Sequence, residues 1–139
     1  MIRITVFNAH PKYKRKHAGT MELLHRVFKN ESIRAAAVNI IFVDDSKMID
    51  LNKYYLRHNY PTDVLSFPLS DDKHALEGEV YVNLDQARRQ AHGLGLMLKE
   101  EASRLVIHGA LHLLGYDDST AHDKKRMTQK EDHYLFSEK

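Results

Sequence analysis

The chain contains no cysteine and no long hydrophobic run, and each absence excludes a class of function. Without cysteine there are no disulfides, thiolate zinc fingers, iron–sulfur clusters or cysteine nucleophiles, so any metal must be held by His, Asp or Glu. No window approaches the roughly 20 apolar residues that a membrane-spanning helix needs. The N-terminal segment lacks a basic region leading into a long apolar stretch and is not expected to be a secretory signal. We therefore expect a cytoplasmic protein with no membrane partner.

The composition is otherwise that of an ordinary globular protein, with 139 residues, 42% hydrophobic and 29% charged. There is no internal repeat, low-complexity tract or Pro/Gly/Ser-rich linker, so we expect a single domain over residues 1–139. A net charge of +2 is a mild basic bias that neither requires nor excludes a nucleic-acid partner. The ten histidines are a high count, and they matter where their spacing suits a metal ion.

Segments with strand-like and helix-like patterns alternate along the chain. β-branched and apolar runs predict strands at residues 2–7, 36–43, 64–68 and 78–83. Apolar periodicity predicts helices at about residues 20–30, 46–55, 84–92, 98–114 and 119–136. Asp45 or Ser46 is expected to cap the second helix, Gly93 to end the third and Gly115 to end the fourth. We expect an α+β (layered α/β) fold with a sheet of about four strands packed against helices, whose strand directions this pattern does not predict.

The strongest chemical signal is the segment HGALHLLGYDD at residues 108–118, near the end of the long predicted helix. His108 and His112 are four residues apart, so on a helix their imidazoles share one face and can converge on one ion. Gly115 allows the chain to turn back after the helix, which would bring Asp118 to the same ion. The order of these residues also matches the metzincin layout of two histidines, a glycine and a third ligand.

Two histidines and a carboxylate leave one coordination position for water, which is typical of a catalytic rather than a structural zinc site. We therefore predict one zinc ion, or another divalent transition-metal ion, bound by His108, His112 and Asp118. His122 is either a rival or additional ligand or a solvent-facing helix residue. Zinc peptidases place a glutamate directly after the first histidine as general base, and Gly109 occupies that position here, which argues against proteolysis.

These residues resemble the C-terminal signature of the YbeY family, H-G-x-L-H-L-x-G-Y-D-H. Residues 51–55 (LNKYY) and 61–68 (PTDVLSFP) resemble the family's L-N-x-x-Y and P-T-[DN]-V-L-S-F-P motifs, and residues 78–80 (GEV) resemble its G-D-I strand. The match extends in order over most of residues 40–135. The resemblance implies a metal-dependent endoribonuclease that acts on single-stranded RNA in ribosomal RNA maturation and ribosome quality control.

The chain departs from the family's pattern at two positions. The usual third ligand is a histidine, and Asp118 stands in its place. A carboxylate also binds zinc, and its negative charge should favour harder ions. The family tends to carry an arginine directly after the tyrosine of its first motif, but here that residue is Leu56, and Arg57 follows it. Arg57 is the candidate catalytic residue, since its guanidinium could bind the scissile phosphate and neutralise developing charge; a plain surface arginine is the alternative.

The expected partner is RNA, either ribosomal RNA or the ribosome, and no DNA partner is expected. The basic loop at residues 10–17 (HPKYKRKH) is a candidate for phosphate contacts, with Tyr13 able to stack on a base, although solvated loops have the same composition. Thr62 and Asp63 either line the cleft opposite the metal or are structural, with Asp63 capping the turn into the next strand, and we favour the structural interpretation; no general base is identified. Two other functions stay open, namely a different metal-dependent hydrolase and a non-catalytic ribosome-associated factor with a structural metal.

Overall fold

A computed structural model describes residues 1–14, 17–56, 62–70, 72 and 75–136. Its elements are, in order, β1 (Ile2–Asn8), α1 (His17–Asn30), β2 (Ala36–Val43), α2 (Asp45–Leu51), a π-helical turn (Asn52–Leu56), β3 (Val64–Pro68), β4 (Leu76–Asn83), α3 (Leu84–Leu94), α4 (Leu98–Leu113) and α5 (Ala121–Phe136). The predicted α+β fold with a four-stranded sheet is confirmed. Within the described residues, no helix has the length and apolar character needed to cross a membrane.

The strands form one mixed sheet in the order β1-β2-β4-β3. β1 pairs with β2 in parallel, and β2 pairs with β4 in parallel. A parallel pair needs a crossover connection, which α1 provides between β1 and β2. β3 is an edge strand that runs antiparallel to β4, with Val64 opposite Val82 and Ser66 opposite Val80. The strand directions, which the sequence pattern does not predict, therefore follow from the long-range pairing.

One face of the sheet supports the main hydrophobic core. Alternate strand residues point into it, among them Val38, Ile40 and Val80, each at most 1% exposed. α4 is the central helix, because it packs against β3 and β4 and also against α1, α3 and α5. Its Ile107 and Leu111 are fully buried. The helix that carries the two histidines of the predicted metal site is therefore held on many sides, as a rigid site requires.

The N-terminus of α2 differs from the prediction. The cap is Asp44, whose side chain accepts a hydrogen bond from the backbone N–H of Lys47 at 2.9 Å. Neither Asp45 nor Ser46 has that role. Asp45 is already the first residue of the helix, after Asp44 in extended backbone, and its two oxygens accept a bidentate pair of hydrogen bonds from Arg89, at 2.9 and 2.8 Å.

Several other boundaries also differ. α3 continues past Gly93 to Leu94, and the residue that ends it in the left-handed conformation is Gly95, with φ of 68°. β4 begins at Leu76 rather than Gly78, because Leu76 pairs with Ala36 and extends the parallel ladder. α2 ends earlier than predicted, at Leu51, and the chain continues as the π-helical turn.

Candidate metal centre

α4 presents His108 and His112 at the edge of the core. The neighbouring residues Ile107, Ala110 and Leu111 are buried, whereas the side chains of His108 and His112 are 21% and 29% exposed. The two ring centroids are 4.6 Å apart. The i, i+4 spacing therefore brings the two imidazoles together, as predicted, at a position that solvent can reach.

Gly109 allows α4 to lie unusually close to the sheet. A Cβ atom at this position would be 2.4 Å from Cγ1 of Val80 and 3.1 Å from Cγ2 of Val64. The hydroxyl of Ser66 donates a hydrogen bond to the carbonyl of Gly109 at 2.9 Å. A glutamate here would point into the sheet and collide with it, away from the histidines. The peptidase arrangement, with its general base directly after the first histidine, is thus sterically excluded at this position.

The end of α4 turns the chain back toward the histidines. Gly115 has φ of 100°, in the left-handed region that residues with a side chain rarely adopt. The N–H of Tyr116 donates to the carbonyl of Leu111, and the N–H of Gly115 donates to the carbonyl of His112, both at 3.0 Å. These two bonds define a Schellman motif. The turn places Asp118, a few residues later, beside the helix rather than beyond it.

A carboxylate at the end of α1 anchors this turn. Glu31 accepts hydrogen bonds from the hydroxyl of Tyr116 at 2.5 Å and from Nζ of Lys130 at 2.9 Å, and it also accepts one from the hydroxyl of Tyr134. The three donors lie in the loop after α4 and in α5. Glu31 therefore joins α1 to the loop that bears Asp118 and to the last helix.

Three donor atoms converge beside α4. Nε2 of His108 and Nε2 of His112 are 3.0 Å apart, and Oδ2 of Asp118 lies 3.3 Å from the first and 3.6 Å from the second. With zinc–ligand bonds of about 2.0–2.1 Å, two ligand atoms of a tetrahedral site are about 3.3 Å apart. The donors thus have the chemistry and spacing of three corners of a tetrahedron. Within the described part of the chain, this is the single group of three such residues with that spacing.

A fourth residue, which the sequence analysis does not identify, contacts His108 at the ring nitrogen that does not face the other two donors. Oε2 of Glu131, on α5, is 2.6 Å from Nδ1 of His108. Burial opposes the charging of His108, but the hydrogen bond and negative charge of Glu131, aided by the charges of Asp118 and Asp63, hold the pKa of His108 above its ordinary value. Glu131 is 6% exposed. The signal that could have revealed it is a charged residue on the buried stripe of α5, between the buried Met127 and Tyr134.

Other predicted site residues lie outside this group. Arg57 falls in the segment 57–61, outside the described residues, as do Arg15 and Lys16 of the basic loop. His122 is exposed in the first turn of α5 and is not part of the donor group. The hydroxyl of Thr62 accepts a hydrogen bond from the Asn52 side chain at 3.2 Å, in keeping with its interpretation as structural.

The described part of the basic loop is tied to the first turn of α3. Nδ1 of the buried His10 accepts hydrogen bonds from the backbone N–H groups of Lys12 and Tyr13, both at 3.0 Å, and Nε2 of His10 is 2.7 Å from a carboxylate oxygen of Asp85. The Tyr13 ring is half-buried and has Lys12 Nζ at 5.6 Å and the Arg88 guanidinium at 5.9 Å from its centroid. Stacking of Tyr13 on a base therefore stays a prediction.

Comparison with known proteins gives one consistent result. The family model described as Endoribonuclease YbeY matches residues 6–138. An Acholeplasma laidlawii protein named Endoribonuclease YbeY is 37% identical over 126 residues, which cover 91% of this chain and 89% of the relative. A Chlorobium phaeovibrioides protein of the same name is 37% identical over 131 residues, covering 94% and 84%. The solution structure of a Thermotoga maritima protein is similar with a TM-score of 0.64 at 30% identity, covering 97% of this chain and 87% of that one.

Proposed function

Because the chain belongs to the YbeY family of endoribonucleases, we propose that it cleaves single-stranded RNA in ribosomal RNA maturation and ribosome quality control, as one domain acting in the cytoplasm. We further propose that it holds one divalent transition-metal ion, zinc in the first instance, on His108, His112 and Asp118. The observation that carries the proposal is the convergence of the three donor atoms at 3.0, 3.3 and 3.6 Å.

The residues present suit a catalytic rather than a purely structural ion. Three protein ligands leave one position open, whereas structural zinc sites are closed by four protein ligands. The side chains of His108, His112 and Asp118 are 21%, 29% and 38% exposed, so the open side faces solvent. A metal ion in such a site supplies Lewis acidity toward a phosphoryl oxygen and a source of hydroxide at neutral pH.

The chain's own residues would then hold and orient the substrate. Arg57 is proposed to bind the scissile phosphate through its guanidinium, a role that rests on the sequence. Lys12 and Lys14, both exposed in the basic loop, are proposed to contact backbone phosphates, which gives affinity without sequence selectivity. Phosphate contacts alone do not distinguish RNA from DNA, so the expected preference for RNA depends on recognition of single-stranded bases or the 2′-hydroxyl.

The test compares metal content and RNA cleavage in the same protein preparations. Elemental mass spectrometry of the untagged chain should find close to one zinc ion, which His112→Ala and Asp118→Ala should each lose. His122→Ala is the matched control, because it removes an exposed histidine outside the donor group and should keep the metal. A single-stranded ribosomal RNA fragment and a DNA strand of the same sequence serve as substrates. Cleavage of the RNA by the wild type and by His122→Ala alone is the expected result.

Two outcomes would contradict the proposal in different ways. If no metal co-purifies and none binds on titration, the chain has no metal-dependent activity. If the ligand variants lose the metal and unfold while folded wild-type protein binds RNA without cutting it, the metal is structural and the protein is a ribosome-associated factor. Circular dichroism of each variant separates loss of chemistry from loss of fold.

A further inference from the structure

We propose that Glu131 is the positioning residue of the metal centre, because its carboxylate fixes the ring orientation and the protonated nitrogen of His108. The inference rests on the proposed metal-binding function and adds to it a residue from a different helix. Glu131 lies 23 positions after His108 in the chain, on α5. Its contact is with Nδ1 of His108, not with Nε2, the atom proposed to bind the metal, so its effect would be transmitted through the imidazole ring of His108.

The contact is short, buried and directed at one nitrogen. Oε2 of Glu131 is 2.6 Å from Nδ1 of His108, and the Glu131 side chain is 8% exposed. A neutral imidazole carries one proton, and an ionised carboxylate can only accept. With the carboxylate as acceptor, a metal-bound His108 would carry its proton on Nδ1 and offer the lone pair of Nε2. Nε2 is the atom that faces His112 and Asp118, at 3.0 and 3.3 Å. Such carboxylate–histidine pairs orient zinc ligands and raise their basicity.

Arg104 holds the carboxylate in turn. Nη1 of Arg104 is 3.3 Å from Oε1 of Glu131, so the two oxygens of Glu131 are divided between the arginine and His108. The same nitrogen is 2.9 Å from a carboxylate oxygen of Asp132. Arg104 and His108 are one helical turn apart on α4, so Glu131 bridges two successive residues of one helix face. The arginine also compensates the charge of Glu131, which would be costly to bury alone.

Packing of α5 leaves Glu131 little freedom. Met127 and Tyr134, one turn before it and one turn after it, are 2% and 1% exposed. The hydroxyl of Tyr134 is bonded to Glu31 at the end of α1. Within the described residues, His112 has no comparable partner at its Nδ1. Loss of Glu131 is therefore expected to act on one of the two histidine ligands and to leave the other in place.

The experiment measures zinc affinity by competition with a chromophoric chelator for five proteins. These are the wild type, Glu131→Ala, Glu131→Gln, Asp132→Ala and His112→Ala. Loss of a residue that orients a ligand typically weakens metal binding about 10–100-fold, and we expect Glu131→Ala to fall in that range. Glu131→Gln keeps the shape but not the charge and should be intermediate; it also carries the test if Glu131→Ala does not fold. Asp132→Ala removes another carboxylate partner of Arg104, which also has Glu101 at 3.7 Å, and should stay within about twofold of the wild type.

A second readout follows the histidine itself. Long-range ¹H–¹⁵N spectra of the zinc-loaded protein should show His108 protonated at Nδ1 and bound through Nε2 in the wild type, and a mixture of the two arrangements in Glu131→Ala. Equal zinc affinity and an unchanged His108 spectrum in folded Glu131→Ala would overturn the positioning role, while the metal site itself stands. Equal affinity of the wild type and His112→Ala would instead overturn the metal site and this inference with it.

Discussion

Replacement of Glu31 by glutamine tests how the loop that bears Asp118 is held in place. The Glu31 side chain is 11% exposed and accepts hydrogen bonds from Tyr116, Lys130 and Tyr134. Glutamine has nearly the same shape, but it offers one oxygen acceptor, and its NH₂ group must face one of the three donors. If the NH₂ group takes the place of the oxygen that faces Tyr116, that hydroxyl must reverse and accept. If it takes the place of the other oxygen, it meets the ammonium of Lys130 donor against donor. In either case the remaining contacts lose the carboxylate charge.

The expected loss of stability follows from these contacts. A hydrogen bond to a charged group contributes about 1.5–3 kcal/mol. With one contact reversed or lost and the others weakened, the free energy of unfolding of Glu31→Gln at neutral pH should be lower by about 2–4 kcal/mol. Because Tyr116 is two residues before Asp118, the loop should also become less ordered. We therefore expect weaker zinc binding in this variant, although less weak than on removal of Asp118 itself.

The loss should depend on pH in a defined direction. Burial of Glu31 opposes its ionisation, but the hydrogen bonds from Tyr116, Tyr134 and Lys130 outweigh burial and hold the pKa of Glu31 below its ordinary value. A lowered folded-state pKa stabilises the protein above the unfolded-state pKa, which is about 4.3 for glutamate. That stabilisation disappears as the pH falls through the folded-state pKa. The difference between wild type and variant should be full at neutral pH and shrink progressively below about pH 4.3.

Urea unfolding in the presence of a chelator, at a series of pH values from neutral to acidic, measures this difference. Glu77→Gln is the control, because Glu77 is an exposed carboxylate on β4 and its replacement should change stability by less than about 0.5 kcal/mol. An undiminished difference at acidic pH would show that the charge of Glu31 is not what matters. A variant as stable as the wild type at neutral pH would refute the anchoring role altogether.

Three further predictions concern α4 and the turn after it. Gly109→Ala should lower the free energy of unfolding by about 1–3 kcal/mol, because the new Cβ would be 2.4 Å from Cγ1 of Val80. Thermal melting checks this, and an unchanged melting temperature would contradict the close approach of helix and sheet. Gly115→Ala should lower the free energy of unfolding by about 1–2 kcal/mol, because φ there is 100° and an L-residue is strained in that region. The variant should also bind zinc more weakly, and a zinc affinity equal to that of the wild type would show that the turn does not position Asp118. Asp118→His should still bind zinc but should lose affinity for Mn²⁺ relative to zinc, because imidazole suits harder ions less well than carboxylate does. Parallel titrations measure the ratio of the two affinities, and an unchanged ratio would argue that Asp118 is not a ligand.

The donor residues of the site could be predicted because their geometry is local. His108 and His112 share a helix face whatever α4 packs against, since the spacing of four residues determines the direction of both side chains. Gly115 and the residues around it form their turn through hydrogen bonds within one short segment. The role of Arg57 as a phosphate ligand and the identity of the metal stay predictions, because neither follows from local geometry.

The contacts behind the donors depend on packing between distant segments. Glu131 reaches His108 only because α5 lies against α4, and Glu31 reaches Tyr116 across 85 positions of sequence. The order β1-β2-β4-β3 and the antiparallel direction of β3 likewise depend on backbone pairing that no local pattern encodes. Periodicity and spacing thus determined which residues form the helices, the strands and the three-donor motif, since these depend on neighbours along the chain. Only the tertiary structure decided how the motif is supported, because hydrogen-bond partners and close packing are chosen between segments that meet after the chain has folded.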